Sequence, residues 1–226
     1  MRLTLLTSTL LLGLTPAAAP AQAISDASLG AKPPEGATVL FDGKNLDPWV
    51  KAGSDAPAPW PVTDGVFTVA PRSGSIQTKD KFGDIQLHVE FNVPFMPEAK
   101  GQARGNSGVY VDGIYEVQIL DSFGLVPKNN ECAGVYTQAT PKVNACKPPL
   151  QWQSYDITFK KAVRDGDKVT KKAYIKIVHN GVTVIDQEVG TTPGGVSGVK
   201  EGEDGPLMLQ DHGNLVQFRN IWVKPL

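Results

Sequence analysis

The chain has 226 residues, with 22 Lys and Arg against 23 Asp and Glu, for a formal net charge of −1. That balance gives no electrostatic case for binding nucleic acid or an anionic membrane surface, and a neutral or weakly charged ligand fits it better. Twenty-three glycines and 18 prolines punctuate short alternating segments, and no window carries a long helical apolar stripe, so the pattern points to an all-β fold.

At the N-terminus Arg2 precedes an apolar run from Leu3 to Leu14, then Pro16 and the small-residue end Ala21-Gln22-Ala23. This is the pattern of a secretory signal peptide over residues 1–23, with Ala17-Ala18-Ala19 as a second cleavage site. The run is too short to span a bilayer, and no other stretch approaches the roughly 20 apolar residues that a membrane helix needs. The expectation is an exported protein, periplasmic or secreted, with no membrane insertion; the sequence leaves its oligomeric state open. Residues 24–36 read as a flexible, proline-containing lead-in, and 37–226 as one domain with a sizeable core.

Within that domain, Val62-Thr63-Asp64-Gly65-Val66-Phe67 predicts a hairpin turning at Asp-Gly. Asp84 to Val93 predicts a strand whose Ile85, Leu87, Val89, Phe91 and Val93 point one way and whose His88 and Glu90 point the other. Val109 to Ile119 predicts a second hairpin with a two-residue turn at Asp112-Gly113. Its register would set Tyr110 opposite Tyr115 and Val109 opposite Glu116, leaving Glu116, Gln118 and Ser107 on one face and Tyr110, Tyr115, Val117 and Ile119 on the other. Further strands follow at Gln153–Phe159 and in the pair 173–178 and 182–185 joined at Asn180-Gly181, with His179 expected in solvent. Near the end, Met208, Gln210 and His212 share one strand face and Leu207, Leu209 and Asp211 the other. Short strands with one apolar face each imply a two-sheet antiparallel sandwich of jelly-roll type.

Of the chain's two cysteines, Cys132 and Cys146 lie in one loop-rich segment of an exported protein, which favours a disulfide between them; free thiols and metal ligation are the alternatives. Of the tryptophans, Trp222 reads as core, and Trp60, in a Pro-rich loop, as a candidate for the rim of a sugar site. Asp121 reads as a turn-capping residue.

Five segments together, Gly105-Asn106-Ser107-Gly108-Val109-Tyr110, Tyr115-Glu116-Val117-Gln118-Ile119-Leu120-Asp121-Ser122, Trp152-Gln153-Ser154-Tyr155-Asp156-Ile157, Leu209-Gln210-Asp211-His212-Gly213 and Phe218-Arg219-Asn220-Ile221-Trp222, resemble the 3-keto-disaccharide hydrolase family in order and spacing. The resemblance runs from Phe41 to Leu226 and departs from the family's commonest pattern between Cys132 and Cys146. It implies a concanavalin-like jelly roll that cleaves glycosides already oxidised to a ketone at sugar carbon 3. Such a carbonyl acidifies the proton on C2, and its loss expels the group on C1. The site then needs a base near C2 and a hydrogen-bonding or positive group near the C3 oxygen.

The sequence supplies Glu90, Glu116 or His88 as the base, and His212, Gln210 and Arg219 to stabilise the oxyanion or leaving oxygen. Asn106, Gln118 and Trp60 complete the expected substrate contacts. No cofactor is required, but His88, Glu90 and His212 offer a ligand set for a divalent metal ion. Two other functions compete. A laminarinase-like glycosidase needs three acids on one strand, yet here the middle position is Gln118, and Asp121 has the opposite parity to Glu116. A non-catalytic carbohydrate-binding jelly roll has no reason to gather His and Glu together.

Overall fold

A computed structural model describes residues 23–226. The expected signal peptide lies, apart from Ala23, outside the described residues. Fifteen strands form, β1 Thr38–Phe41, β2 Trp49–Lys51, β3 Val62–Thr63, β4 Val66–Thr68, β5 Ile76–Phe82, β6 Ile85–Asn92, β7 Ser107–Val111, β8 Tyr115–Ile119, β9 Gln153–Lys160, β10 Val163–Asp165, β11 Lys168–Lys171, β12 Ala173–His179, β13 Val182–Val189, β14 Gly205–Leu209 and β15 Gln217–Pro225. One sheet runs β13-β12-β9-β6-β15-β4-β3 with β1 also on β15; the other runs β2-β5-β14-β7-β8, and β10-β11 is a separate ribbon. The result is the expected all-β antiparallel jelly-roll sandwich. No helix among the described residues is long and apolar enough to cross a membrane.

Alternation along the strands decides what each face carries. From the eight-stranded sheet, Leu87, Val89, Phe91, Tyr155, Ile157, Phe159, Ile175 and Ile177 point inward; from the five-stranded sheet Val109, Val111, Tyr115, Val117, Leu207 and Leu209 meet them in one core. Trp60 belongs to that core rather than to a sugar-binding rim. Its ring stacks on Phe218 at 6.2 Å and its indole N–H donates to Gly74 O, because the Pro-rich loop folds it back over the sheet end.

Two Asx-Gly hairpins form as read. Asp64-Gly65 and Asn180-Gly181 take positive φ at both positions and close Thr63 on Val66 and His179 on Val182. The β7–β8 hairpin does not. Its loop is three residues long, Asp112-Gly113-Ile114, so Val111 pairs Tyr115, Tyr110 pairs Glu116 and Gly108 pairs Gln118. The segment at 192–196 accounts for the slip. The Thr192 and Val196 amides donate to Ile114 O and Gly113 O at 2.9 and 2.7 Å, drawing Ile114 out of the ladder. A one-residue slip exchanges faces, so Tyr110 joins Glu116 and Gln118 on the outer side, while Ser107 donates inward to Gln210 O.

The lead-in is tied down rather than free. Its Ser25 N–H donates to Asn180 O, Ser28 and Ser154 share a hydrogen bond of 2.6 Å, and Ala31 O accepts from both Asn220 Nδ2 and the Trp222 indole. Trp222 is therefore buried beneath this strap, parallel to His88 at 5.2 Å, and not in the sandwich interior.

The strap also covers Glu90, which accepts from Gly30 N–H, Asn220 Nδ2 (2.8 Å) and Arg219 Nε (2.7 Å), with His88 Nε2 at 3.4 Å. Burial raises this carboxyl, yet the hydrogen bonds from His88, Asn220, Gly30 and Arg219 outweigh burial and hold it near 2, against 4.5 when free. A lowered folded value contributes stability above about pH 4.5 that is lost as pH falls toward 2. Glu90→Gln is expected to cost on the order of 3 kcal/mol at pH 7 in urea unfolding, with the gap to wild type closing below pH 4. A constant gap across that range would rule the ionised Glu90 out as the anchor.

Candidate active site

The face of the five-stranded sheet turned away from the core carries a cleft of about 200 Å³, lined by Gln102, Asn106, Tyr110, Glu116, Gln118, Tyr136, Pro193, Gly194, Gln210 and His212. Strands β7 and β8 present Tyr110, Glu116 and Gln118 side by side through the register just described. Gln210 and His212 continue the outward parity of Met208 past the end of β14, and Met208 itself pairs with Tyr110. The segment 133–136 runs along the edge of β8, with Tyr136 N–H donating to Glu116 O, which closes that edge and brings the Tyr136 side chain to the cleft.

Glu116 is the centre of the cleft. It is buried, and its Oε2 accepts from the Tyr110 hydroxyl at 2.9 Å. Burial raises its carboxyl to about 7, only partly offset by that hydrogen bond. Gly108 makes the position possible, since a Cβ there would lie 2.6 Å from Glu116 Oε1. Tyr110 has a second acceptor in Pro193 O at 3.2 Å. Its proton can thus serve Glu116 when the carboxylate is ionised and turn to Pro193 when the carboxylic acid donates back. Gain or loss of the proton on Glu116 then leaves neither group unpaired.

The amides around Glu116 have assigned orientations. Gln102 Nε2 donates to Asn130 O at 2.8 Å, which leaves Gln102 Oε1 to accept from Gln118 Nε2 at 3.0 Å. Asn106 Nδ2 donates to Gln102 O at 2.7 Å, and Gln210 Nε2 donates to the Tyr110 oxygen at 3.3 Å. Asn106 Oδ1, Gln118 Oε1 and Gln210 Oε1 are consequently buried acceptors with no partner in the protein. A buried acceptor left unpaired is costly, so the three oxygens call for a ligand with donors, such as sugar hydroxyls. They also make, with Glu116 and His212, the set in the cleft that could hold a hard divalent ion.

Apart from Trp60, the catalytic and substrate-binding residues expected from sequence divide between two places. Glu116, His212, Asn106, Gln118 and Gln210 meet in the cleft. Glu90, His88 and Arg219 do not; they lie on the outer face of the eight-stranded sheet. His88 and Glu90 have the opposite parity to Leu87 and Val89, which face the core, just as Glu116 and Gln118 have the opposite parity to Val117. The whole sandwich therefore separates His88 and Glu90 from His212, and the expected ligand set of those three does not assemble.

Glu90 and His88 are also unsuited to act as the base. Both are fully buried under the strap, Glu90 is held near 2, and His88, although burial lowers its value, is raised overall by hydrogen bonds to Asp156 (2.7 Å) and Glu90. Arg219 is held by Glu90 and lies over the Trp152 ring at 4.1 Å. Asp121 caps its turn, accepting from Phe123 N–H, and faces Arg104 at 3.7 Å.

The expected Cys132–Cys146 disulfide is not formed. Both thiols are free and buried, and the Tyr155 hydroxyl, fixed by Ala133 N–H and Gln118 O, holds Cys132 Sγ by hydrogen bond at 3.0 Å. His179 is fully buried rather than solvated, because its parity on β12 is that of Ile175 and Ile177. Sequence reasoning missed Tyr110, Gln102, Tyr136, Pro193 and Gly194 in the cleft. Tyr110 was recoverable from the hairpin had its turn been read as three residues; nothing local to the other four marks them.

Fold and cleft together define a glycosyl-hydrolase-like jelly roll with one carboxylate at its centre. The profile of the 3-keto-alpha-glucoside-1,2-lyase-like domain matches residues 36–224, and the chain belongs to that family. A Bacteroides thetaiotaomicron protein named 3-keto-disaccharide hydrolase is 26% identical over 234 residues, covering 85% of this chain and 79% of that one. A Parabacteroides distasonis protein of known structure, provisionally described as a glycosyl hydrolase, is 34% identical with a TM-score of 0.77, over 95% of this chain and 94% of its own. A second such protein from that organism shares the fold, with a TM-score of 0.64 at 21% identity over 85% and 94%.

Because the folded protein keeps the Glu116 proton to about pH 7 whereas a free glutamate releases it near 4.5, the fold loses stability as pH rises through that window. Glu116→Gln removes this penalty and keeps an acceptor for Tyr110. The variant is expected to exceed wild type by roughly 2–3 kcal/mol at pH 8 and to match it near pH 4 in denaturant unfolding. Equal stability at both pH values would mean that Glu116 is an ordinary surface carboxylate.

Proposed function

We propose that this cleft cleaves glycosides carrying a ketone at carbon 3, with Glu116 as the base. The observation that carries the reading is a single buried carboxylate, raised to about 7, among three unpartnered amide oxygens. Acid-base hydrolysis of an ordinary glycoside uses two carboxyl groups flanking the bond. Among the described residues that line the cleft, Glu116 is the one acid.

Elimination from a keto sugar needs only one base. Glu116 takes the C2 proton, the C–H electrons form the C2–C3 enolate, and collapse of the enolate forms the C1–C2 double bond as the C1–O bond breaks, the leaving oxygen taking the proton from Glu116. Addition of water at C1, with a proton restored at C2, completes a net hydrolysis. Asn106, Gln118 and Gln210 accept from sugar hydroxyls and fix the ring, and His212 stands as the hydrogen-bond donor to the oxygen where charge develops. A base near 7 is matched to a weakly acidic C–H at neutral pH. The family membership and the named Bacteroides relative support the substrate class, and the signal-peptide pattern supports an exported site of action.

The test incubates the mature chain in heavy water with a 3-keto-glucoside and with its unoxidised parent. Cleavage of the keto compound alone, with deuterium at C2 of recovered substrate or hydrated product, is expected. Its kcat/KM should rise through about pH 7 as Glu116 ionises, and Glu116→Gln should lower turnover by about 10²–10⁴-fold. Equal cleavage of both compounds would indicate ordinary acid-base hydrolysis. Binding without cleavage, with and without divalent ions, would make the cleft a carbohydrate-binding site.

A further inference from the structure

Behind β8, on the core side of the sheet, lies a second cluster that this chemistry does not use. The sulfurs of Cys132 and Cys146 and an imidazole nitrogen of His179 lie within 4.8 Å of one another, all buried. Cys132 and Cys146 come from the long segment between β8 and β9, and His179 from the end of β12.

The protonation of His179 follows from its neighbours. Gln153 Oε1 accepts from Lys147 N–H at 3.0 Å and from Asn180 Nδ2 at 3.2 Å, which identifies that atom as the oxygen. His179 Nε2, 3.0 Å from the same oxygen, must therefore carry the hydrogen and donate. A second proton, on Nδ1, would put a buried charge on an N–H that has no acceptor, so the ring is neutral. A neutral ring with its proton on Nε2 has a bare lone pair on Nδ1, and Nδ1 is a buried atom with no partner. An imidazole with one nitrogen fixed by an oxygen acceptor and the other a bare base, in one cluster with two thiols, is the arrangement that metal-binding histidines adopt.

We propose that Cys132, Cys146 and His179 form a structural site for a soft divalent metal ion, with zinc(II) the best match. Two thiols lose their protons to solvent on binding, and two thiolates with a neutral imidazole balance the ion's two charges, leaving no net charge in the core. A monovalent ion on the same ligands would leave the site anionic. Zn–S bonds near 2.3 Å and Zn–N bonds near 2.0–2.1 Å are compatible with three donors that lie within 4.8 Å of one another. Tyr155 Oη, beside Cys132 Sγ, donates to Gln118 O and accepts from Ala133 N–H, which leaves it one lone pair as a fourth donor. A disulfide is the competing fate of two cysteines in an exported protein; it would leave His179 Nδ1 unpartnered, whereas the metal satisfies all three groups.

The chain has only these two cysteines, so any thiolate-to-metal signal reports on this site and not on an ion in the cleft. The full exported protein, purified without chelator, is expected to contain one zinc per chain and to react with a thiol reagent in denaturant only after chelator is added. Exchange of zinc for cobalt(II) should produce a thiolate-to-cobalt charge-transfer band in the near ultraviolet, and His179→Gln should weaken cobalt binding by at least tenfold. Should that variant fail to fold, the wild-type band and thiol count decide alone. A Cys132–Cys146 disulfide, or two thiols that react without chelator and no band after cobalt addition, would overturn the proposal.

Discussion

The seating of Ile114 O and Gly113 O on the amides of Thr192 and Val196 is the contact on which the cleft depends. It lengthens the β7–β8 turn by one residue and thereby chooses which side chains of β7 face outward. With Tyr110 outward, the buried carboxyl of Glu116 has a hydroxyl at 2.9 Å and can remain dry without being unpaired. With Tyr110 inward, the same carboxyl would face Val109, whose side chain offers it no hydrogen bond. The same register sets glycine, at position 108, next to Glu116, where any side chain would collide with Oε1. Backbone contacts at the turn thus determine both its room and its proton affinity.

Two buried glutamates show how environment separates roles that the residue type leaves open. Glu90 collects donors from a backbone amide, an asparagine, an arginine and a histidine, so its charge is more than compensated and its proton is bound weakly. Glu116 has one neutral donor, so burial dominates and its proton is bound tightly. The first is an anchor for the strap of residues 24–36; the second has the affinity of a general base working at neutral pH. The sandwich keeps them apart by placing each on the outer side of a different sheet, with the apolar core between.

Much of this was legible in the sequence. Alternation in 85–93 placed His88 and Glu90 opposite the core, the turns at Asp64-Gly65 and Asn180-Gly181 formed as their φ preferences require, and five of the cleft's residues were named from their motifs. What the sequence obscured has physical causes. Asp112-Gly113 has positive φ at both residues whether the loop holds two residues or three, so the dipeptide cannot report the register; a distant segment decides it. The polar face of β6 looked like a site because the lead-in of residues 24–36, polar and proline-containing, carries no apolar signal that it would dock; it docks through backbone amides and carbonyls, which every sequence possesses. His179 was misjudged because the residue before a turn is usually solvated, whereas here its strand parity is inward.

The segment between β8 and β9 joins these observations. It runs beside the edge strand of the cleft sheet, with backbone hydrogen bonds from Gln118 N–H to Gly134 O and from Ala133 N–H to Gln118 O, and it passes Cys132 into the core. Tyr155 bridges the two sides, donating to the main-chain oxygen of Gln118 while contacting Cys132 Sγ. The backbone that carries the Gln118 amide into the cleft is therefore held from behind by the cysteine-histidine cluster. Whatever fixes the two sulfurs fixes one wall of the cleft as well, and a long irregular loop without a strand of its own gains the rigidity that a preorganised site requires.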